Sequence, residues 1–216
     1  MRHPSGRPTI PSPLRLYGSR VMLRPLVAQD FATWKEVRRR NEAWLTPWEP
    51  RRPLPQFDPT VNREAFVSRC AARERDAAAG LSYGFGLFVD DRVVCGEVNV
   101  NHVLRGALQA GTIGYWIDER YAGRGLVAEG VVVVFEFAFE RLWLHRLEIN
   151  IVPRNANSRR VMEKLAIRTE GVAVRMLEIN GAWEDHVRYA LTAEEWQDRT
   201  NELRQRWLLP DRSVSR

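Results

Sequence analysis

A glycine-rich turn between an apolar strand and an apolar helix constrains this chain more than any other feature. Residues 111–117 read GTIGYWI, residues 118–125 read DERYAGRG, and a largely apolar segment then continues to Leu142. Glycines allow a tight turn, and the helix dipole places about half a positive charge at the helix N-terminus. Because several backbone N–H groups converge there, the sequence predicts a site for a phosphate or pyrophosphate group.

The hexad Arg120–Gly125 has the form R-x-x-G-x-G, which is a weak signal by itself because a surface turn with two glycines explains it equally well. Its position between a strand and a helix favours phosphate binding. The turn contains no G-x-G-x-x-G, and no Lys-Ser or Lys-Thr follows Gly125. These two absences exclude a Rossmann turn and a P-loop.

Length and charge predict one large domain with basic ends. From the 216 residues we expect a basic, flexible tail over residues 1–13, a single domain over 14–208 and a second tail over 209–216. Residues 1–29 carry +5 and residues 204–216 carry +3, so the residues between them carry −2 of the net +6. A nucleic-acid reader usually has its basic patch on the folded domain. We therefore expect nucleic acid as a partner only through the tails.

The remaining composition predicts a cytoplasmic protein with no membrane partner and no metal. The longest apolar run, Val131–Phe135, is far shorter than the about 18 residues of a membrane span. The first 18 residues lack the apolar segment of a signal peptide. Cys70 and Cys95 form no C-x-x-C, and the four histidines show no metal-ligand spacing.

Hydrophobic periodicity and turn residues predict an alternation of strands and helices. The predicted strands are 14–24, 83–89, 93–101, 111–117, 146–152, 172–179 and 184–191, and the predicted helices begin at 31, 60, 124, 155 or 157, and 193. Residues 44–59, with five prolines, are predicted to be a loop, and Thr60 is predicted to cap the second helix. Along the helix from Arg124, the acids Glu129, Glu136 and Glu140 are predicted to share one solvated stripe.

This order predicts an α+β fold with a mixed sheet and helices on both faces. Over residues 14–191 the chain resembles the GNAT superfamily of N-acetyltransferases. Two motifs carry the resemblance: the turn Arg120–Gly125, and N-x-x-S-x-R-x-x-x-K-L over Asn155–Leu165, which begins 35 residues later. Ala166-Ile167 departs from the Gly-Phe that usually follows. The pair is most similar to the ribosomal-protein-alanine N-acetyltransferases, and it implies a mostly antiparallel sheet with a splayed central strand pair.

The resemblance implies acetyl-CoA as donor co-substrate, with its pyrophosphate on the glycine turn and its pantetheine arm between the splayed strands. A backbone N–H near Trp116 or Ile117 would polarise the thioester carbonyl. The implied cofactor-binding residues are Trp116, Ile117, Asp118, Arg120, Ala122, Gly123, Arg124, Gly125, Leu126, Val127, Asn155 and Ser158. Arg160 and Lys164 either reach the CoA phosphates or are solvated cations.

The implied catalytic residues are less specific. Ser158 matches a position that protonates the departing thiolate, although a serine in the first turn of a helix is the alternative. Asn155 either binds pantetheine or simply caps its helix. The candidate general bases are Glu97, Glu178 and Asp185, although no motif selects one and a surface or structural acid is the alternative for each. Among the three we favour Glu97, which lies on the strand beside the one that lines the thioester.

The resemblance implies a primary amine as acceptor and favours a protein N-terminal α-amino group, which is also easier to deprotonate than a lysine. A ribosomal protein is the expected partner. An antibiotic or polyamine acceptor remains open, as does a non-catalytic acyl-CoA-binding or partner-binding module. The protein is expected to be a monomer or homodimer. The aromatic residues predicted to line the acceptor site are Trp44, Trp48, Phe57 and Trp183.

Overall fold

The computed structural model describes residues 14–51 and 53–209. The strands are β1 (Leu16–Tyr17), β2 (Val21–Arg24), β3 (Tyr83–Val89), β4 (Val93–Leu104), β5 (Ala110–Ile117), β6 (Arg146–Ile151), β7 (Arg168–Ile179) and β8 (Ala182–Thr192). The α-helices are α1 (Phe31–Arg40), α2 (Glu42–Leu45), α3 (Arg63–Ala79), α4 (Leu126–Glu136), α5 (Ala156–Lys164) and α6 (Ala193–Trp207).

The eight strands form one sheet in the order β1-β2-β3-β4-β5-β6-β8-β7. All neighbours pair antiparallel except β5 and β6, which pair in parallel at only three positions, from Ala110 with Arg146 to Thr112 with Glu148. Beyond Thr112 the ladder between these two strands stops, although β5 continues to Ile117 and β6 to Ile151. The predicted mixed, mostly antiparallel sheet with a splayed central pair is therefore confirmed.

Helices cover both faces of the sheet, as predicted. Successive side chains of a strand point to opposite faces. In β3, Leu87 belongs to the core built around α4, whereas its neighbour Phe88 packs in a second cluster with Trp34 of α1 and Phe66 of α3. We call these the α4 face and the α1 face. Tyr115 packs against the α4-face core and Trp116 against the α1-face cluster, so neighbouring residues of β5 point to opposite sides.

Most predicted elements are confirmed, with differences at their ends. The predicted strand 14–24 is two strands, because the chain turns at Gly18, whose N–H donates to the Val21 carbonyl. Asn62, not Thr60, caps α3 by accepting from the N–H groups of Glu64 and Ala65. The predicted loop 44–59 contains the end of α2 and two 3-10 turns, Thr46–Trp48 and Pro55–Phe57.

The predicted solvated stripe on α4 is wrong at Glu129. This side chain is fully buried and accepts hydrogen bonds from the backbone N–H groups of Arg20 and Val21 and from Arg20 Nε, at 2.5, 3.2 and 2.8 Å. Glu136 and Glu140 are partly exposed and pair with Arg204 of α6. Helical periodicity places Glu129 and Glu136 of α4, and Glu140 in the π-helical segment Phe137–Arg141 that follows, on one side, but it does not show that the β1–β2 turn covers Glu129.

The charged ends are partly inside the fold. Of the arginines in residues 1–29, Arg20 and Arg24 lie at the β1–β2 hairpin and pair with Glu129 and Asp30. The predicted tail 1–13, and 210–216 of the predicted C-terminal tail, lie outside the described residues, so the domain boundaries stay a prediction. No helix in the described part of the chain is both long and apolar enough to cross a membrane.

Candidate active site

A cavity of about 670 Å³ opens where β5 and β6 separate. It runs between the glycine turn, the start of α5, the end of β5 and the segment from Trp44 to Pro50. Nine of the predicted cofactor-binding residues line it: Trp116, Ile117, Ala122, Gly123, Gly125, Leu126, Val127, Asn155 and Ser158. The structure thus brings the two sequence motifs together in one cavity.

The glycine turn has the backbone conformation that the motif predicts. Gly123 and Gly125 have φ values of 76° and 82°, in the left-handed region where a side chain is disfavoured. The first bond of α4 runs from the Glu129 N–H to the Gly125 carbonyl. The N–H groups of residues 126–128 therefore have no acceptor within the helix and, with the helix dipole, favour an anion.

Two side chains from distant parts of the chain hold this turn. Arg20 Nη1 donates to the Arg124 carbonyl at 3.0 Å while its Nε pairs with Glu129. Trp207, at the end of α6, lies against Gly125, where an added Cβ would come within 3.3 Å of its ring. The buried Glu129 carboxylate thus fixes the arginine that fixes the turn.

Ser158 and Tyr115 meet across the gap on the α4 face. The Tyr115 hydroxyl lies 2.8 Å from Ser158 Oγ and also donates to the Ser158 carbonyl at 3.2 Å. Burial raises the pKa of the Tyr115 hydroxyl, so Tyr115 stays protonated. Sequence reasoning placed Tyr115 at the end of its strand but did not select it as a partner of Ser158.

Asn155 caps α5, because its side chain accepts the Ser158 N–H at 3.1 Å. Its alternative role, a contact with pantetheine, stays a prediction. Arg160 and Lys164, on the same helix, also line the cavity, so this part of the wall is cationic.

The end of β5 presents backbone groups to the gap. The Asp118 N–H donates to the Cys95 carbonyl of β4 at 2.7 Å, whereas the Ile117 carbonyl accepts from Trp44 Nε1 at 3.1 Å. Backbone groups of successive residues alternate between the two sides of a strand. The N–H and C=O groups of Ile117 therefore point away from β4, toward the gap, and those of Trp116 point toward β4. Of the two N–H groups considered from the sequence, that of Ile117 is the one directed into the cavity.

Three predicted cofactor-binding residues do not line the cavity: Asp118, Arg120 and Arg124. Asp118 is 1% exposed and accepts from Arg40, from Asn41 Nδ2 at 2.8 Å and from the Arg120 N–H. Burial alone would raise its pKa, but these hydrogen bonds outweigh burial and lower it. Asp118 therefore fixes the start of the turn, and the Arg124 guanidinium lies over the Tyr121 ring at 5.3 Å.

Glu97 lies outside the cavity lining, in a buried cluster on the α1 face. It accepts from Trp34 Nε1, from Arg69 Nη2 and from Arg73 Nη1, each at 2.7 Å for the shortest contact. Burial would raise its pKa, but the two arginines hold the pKa far below its usual range. These surroundings give no support to Glu97 as a general base, because a carboxylate so stabilised is a weak proton acceptor.

The two other candidate bases also lie outside the cavity lining. Glu178 is 3.8 Å from Arg51, and Asp185 accepts the Arg175 N–H at 2.8 Å. Among the described residues that line the cavity, the one carboxylate is that of Glu49, which sequence reasoning missed. The sequence feature that could have indicated Glu49 is its place in the loop that carries Trp44 and Trp48.

The four predicted acceptor-site aromatics separate into two groups. Trp44 and Trp48 line the cavity, whereas Phe57 and Trp183 are about two-thirds exposed and do not. Across residues 14–51 and 53–209, no group of three or more His, Cys, Asp or Glu side chains is placed to hold a metal ion.

The splayed sheet, the glycine turn and the second motif are those of an N-acetyltransferase, and the comparisons with known proteins agree. The chain belongs to the family described as "Acetyltransferase (GNAT) domain", which matches residues 20–168. It is 34% identical to the probable N-acetyltransferase YjcK of Bacillus subtilis (strain 168), over 79% of this chain and 93% of that protein. It is 29% identical to the [ribosomal protein uS5]-alanine N-acetyltransferase of Escherichia coli (strain K12), over 85% of this chain and 93% of that protein.

A solved structure is similar over the same region. The structure of Mycobacterium smegmatis RimJ in complex with CoA-disulfide superposes with a TM-score of 0.76 at 32% identity, covering 84% of this chain and 87% of that one.

Proposed function

We propose that this protein transfers the acetyl group of acetyl-CoA to the α-amino group of a protein N-terminus, with a ribosomal protein as the favoured acceptor. One observation carries the proposal: a single cavity joins the N–H groups at the start of α4 to the Tyr115–Ser158 pair and to the gap between β5 and β6. The solved relative from Mycobacterium smegmatis holds a CoA-disulfide, and a relative in Escherichia coli modifies the alanine of a ribosomal protein.

The donor would lie along this cavity, held by residues from both motifs. The N–H groups of residues 126–128 would bind the pyrophosphate, and Arg160 and Lys164, which line the same wall, would add positive charge. The Ile117 N–H faces the gap, where it would stabilise the negative charge that develops on the thioester oxygen. When bound, acetyl-CoA supplies an activated acyl group whose thiol, with a pKa of about 8.5, is a fair leaving group.

The amine would attack the acetyl carbon directly, without a covalent enzyme intermediate. As the C–N bond forms and the C–S bond breaks, Ser158 Oγ would give its proton to the sulfur and take one from the neighbouring Tyr115 hydroxyl, and the proton that the amine releases to water would restore Tyr115. An α-amino group, with a pKa of about 8, is partly unprotonated at neutral pH. The reaction therefore needs no strongly basic side chain, and water would carry the amine proton away.

The test is acetylation of a peptide with an N-terminal alanine and an internal lysine, compared with the same peptide blocked at its N-terminus. We expect one acetyl group on the α-nitrogen of the free peptide, located by fragmentation in the mass spectrometer, and none on the blocked one. Double-reciprocal plots of the initial rate against peptide concentration, at several fixed concentrations of acetyl-CoA, should give intersecting lines. Parallel lines would indicate an acetylated enzyme intermediate. Acetylation of the lysine alone, or of neither peptide despite acetyl-CoA binding, would contradict the proposal.

A further inference from the structure

Glu49 occupies a position in the cavity that the donor does not require. Glu49 follows the 3-10 turn Thr46–Trp48 directly and lines the same cavity as Trp44 and Trp48. Its side chain is about a quarter exposed, so a molecule in the cavity can contact it. Among the described residues that line the cavity, it is the one side chain with carboxylate oxygens that can accept hydrogen bonds.

Glu49 is held at both its side chain and its backbone. Arg38 donates from Nη1 and Nη2 to the two carboxylate oxygens at 2.7 and 2.6 Å, and the Glu49 carbonyl accepts the Asn180 N–H at 2.8 Å. Arg38 is itself buried and lies over the Trp116 ring at 4.9 Å. Each carboxylate oxygen accepts in more than one direction, and Arg38 takes one direction on each. The carboxylate is thus fixed in place with acceptor capacity left over.

The two sides of the sheet bring different charged groups to this cavity. Ser158 reaches Tyr115 on the α4 face, and the same helix brings Arg160 and Lys164 to the wall. Glu49 is tied through Arg38 to Trp116, which points to the α1 face. The cationic wall suits an anionic donor, and the remaining acceptor capacity of the Glu49 carboxylate suits a positively charged hydrogen-bond donor.

We propose that Glu49 binds the acceptor's amine as its ammonium ion and thereby selects acceptors that are cationic before transfer. This inference rests on the proposed function, and it concerns binding and orientation. Two N–H groups of the ammonium ion donate to the carboxylate oxygens in the directions that Arg38 does not occupy. This binding places the amine at the gap beside Ile117. Glu49 is then a specificity-determining residue, with Arg38 as the residue that positions it.

The experiment compares Glu49→Gln with wild type on two peptides that differ only at the reacting nitrogen. One peptide has an ordinary α-amino group, and the other has an aminooxy group, which is uncharged at neutral pH yet still nucleophilic. Loss of a hydrogen bond to a charged group predicts a KM for the α-amino peptide about tenfold higher in the variant, with kcat changed much less. The KM for the aminooxy peptide should change less than about twofold, because it presents no charge.

Glu36→Gln is the matched control. Glu36 also pairs with an arginine of α1, Arg39, but both side chains are more than half exposed and Glu36 does not line the cavity. Both substitutions remove one negative charge beside α1, so a general charge effect would appear in both. Glu36→Gln should leave the two KM values as in wild type.

The outcomes separate this inference from the proposed function. An equal rise in KM for both peptides, or no rise for either, would overturn the role of Glu49 while leaving the acetyltransfer intact. Failure of wild type to acetylate either peptide would overturn both. If Glu49→Gln does not fold, the double variant Arg38→Met with Glu49→Gln removes both members of the pair, so no buried charge is left unpaired. The same selective rise in KM is expected there.

Discussion

In the proposed mechanism, the hydroxyl pair Tyr115–Ser158 is the smallest unit that carries out the chemistry. Each residue belongs to a different strand–helix segment, and they are 43 positions apart in the chain. Asn155 orients the backbone of Ser158, and burial keeps Tyr115 protonated. The pair can therefore deliver a proton without itself carrying charge in the resting state.

Ser158→Ala should lower kcat about tenfold or more while changing the KM for acetyl-CoA less than about twofold. The reason is that the lost group acts on the leaving sulfur in the transition state, whereas the backbone groups that bind the donor remain. Tyr115→Phe should lower kcat by a smaller factor, because it removes only the second proton donor. Steady-state kinetics with saturating peptide measure both values.

Tyr83→Phe is a suitable control, since Tyr83 is a buried tyrosine in the same core but away from the cavity lining. A Ser158→Ala enzyme with unchanged kcat would show that the serine is only part of the first turn of α5.

At the scale of elements, the α1 face is held by a buried ionic cluster. Glu97 of β4 joins Trp34 of α1 to Arg69 and Arg73 of α3 through four short hydrogen bonds. The Arg69 guanidinium also lies over the Trp34 ring at 5.1 Å. One carboxylate thus ties α1 and α3 to the sheet, and α1 also carries Arg38.

Glu97→Gln should lower the free energy of unfolding by about 3 kcal/mol at neutral pH, because it leaves two partly buried arginines without their carboxylate. A carboxyl with a lowered folded-state pKa contributes stability that is complete above its unfolded pKa, about 4.3, and is lost as the pH falls. The difference between wild type and variant should therefore be constant above about pH 6 and shrink below about pH 4. Urea unfolding across this range measures it.

Glu36→Gln, which breaks an exposed pair on α1, should cost less than about 0.5 kcal/mol. A Glu97→Gln protein of normal stability with a large loss of kcat would restore Glu97 as the general base and contradict its structural role.

Elements with strong local patterns could be predicted from the sequence. The bounds of β3 are those predicted, and Gly80 ends α3 in the left-handed conformation that glycine favours. The prediction failed where a distant segment decides the outcome. Glu129 lies on a predicted solvated stripe, yet Arg20, 109 residues away, turns it into a buried acceptor.

At the scale of the whole molecule, the cavity residues expected to bind the donor could mostly be predicted, whereas those expected near the acceptor could be predicted only in part, as Trp44 and Trp48. The turn and the helix after β6 are continuous motifs, and nine predicted residues meet in the cavity. Glu49 enters the cavity only because Arg38 and Asn180, from α1 and from the β7–β8 turn, fix it there. Such contacts depend on tertiary packing, and no local pattern in one sequence specifies them.

The measurement that tests the central claim most directly is the thermal stability of wild type, Gly123→Trp and Gly106→Trp with acetyl-CoA, CoA and ATP. Both glycines have positive φ, 76° and 70°, and each has open space where a side chain would begin, so the cost to the fold is matched. Gly123 lines the cavity and Gly106, in the β4–β5 turn, does not.

Acetyl-CoA and CoA at about 100 times their dissociation constants should stabilise wild type and Gly106→Trp by about 2.7 kcal/mol. Gly123→Trp should show no such stabilisation, because its indole would fill the donor's path, and ATP should stabilise none of the three. Equal stabilisation of Gly123→Trp and Gly106→Trp by acetyl-CoA, or no response of wild type, would contradict a donor site on the glycine turn.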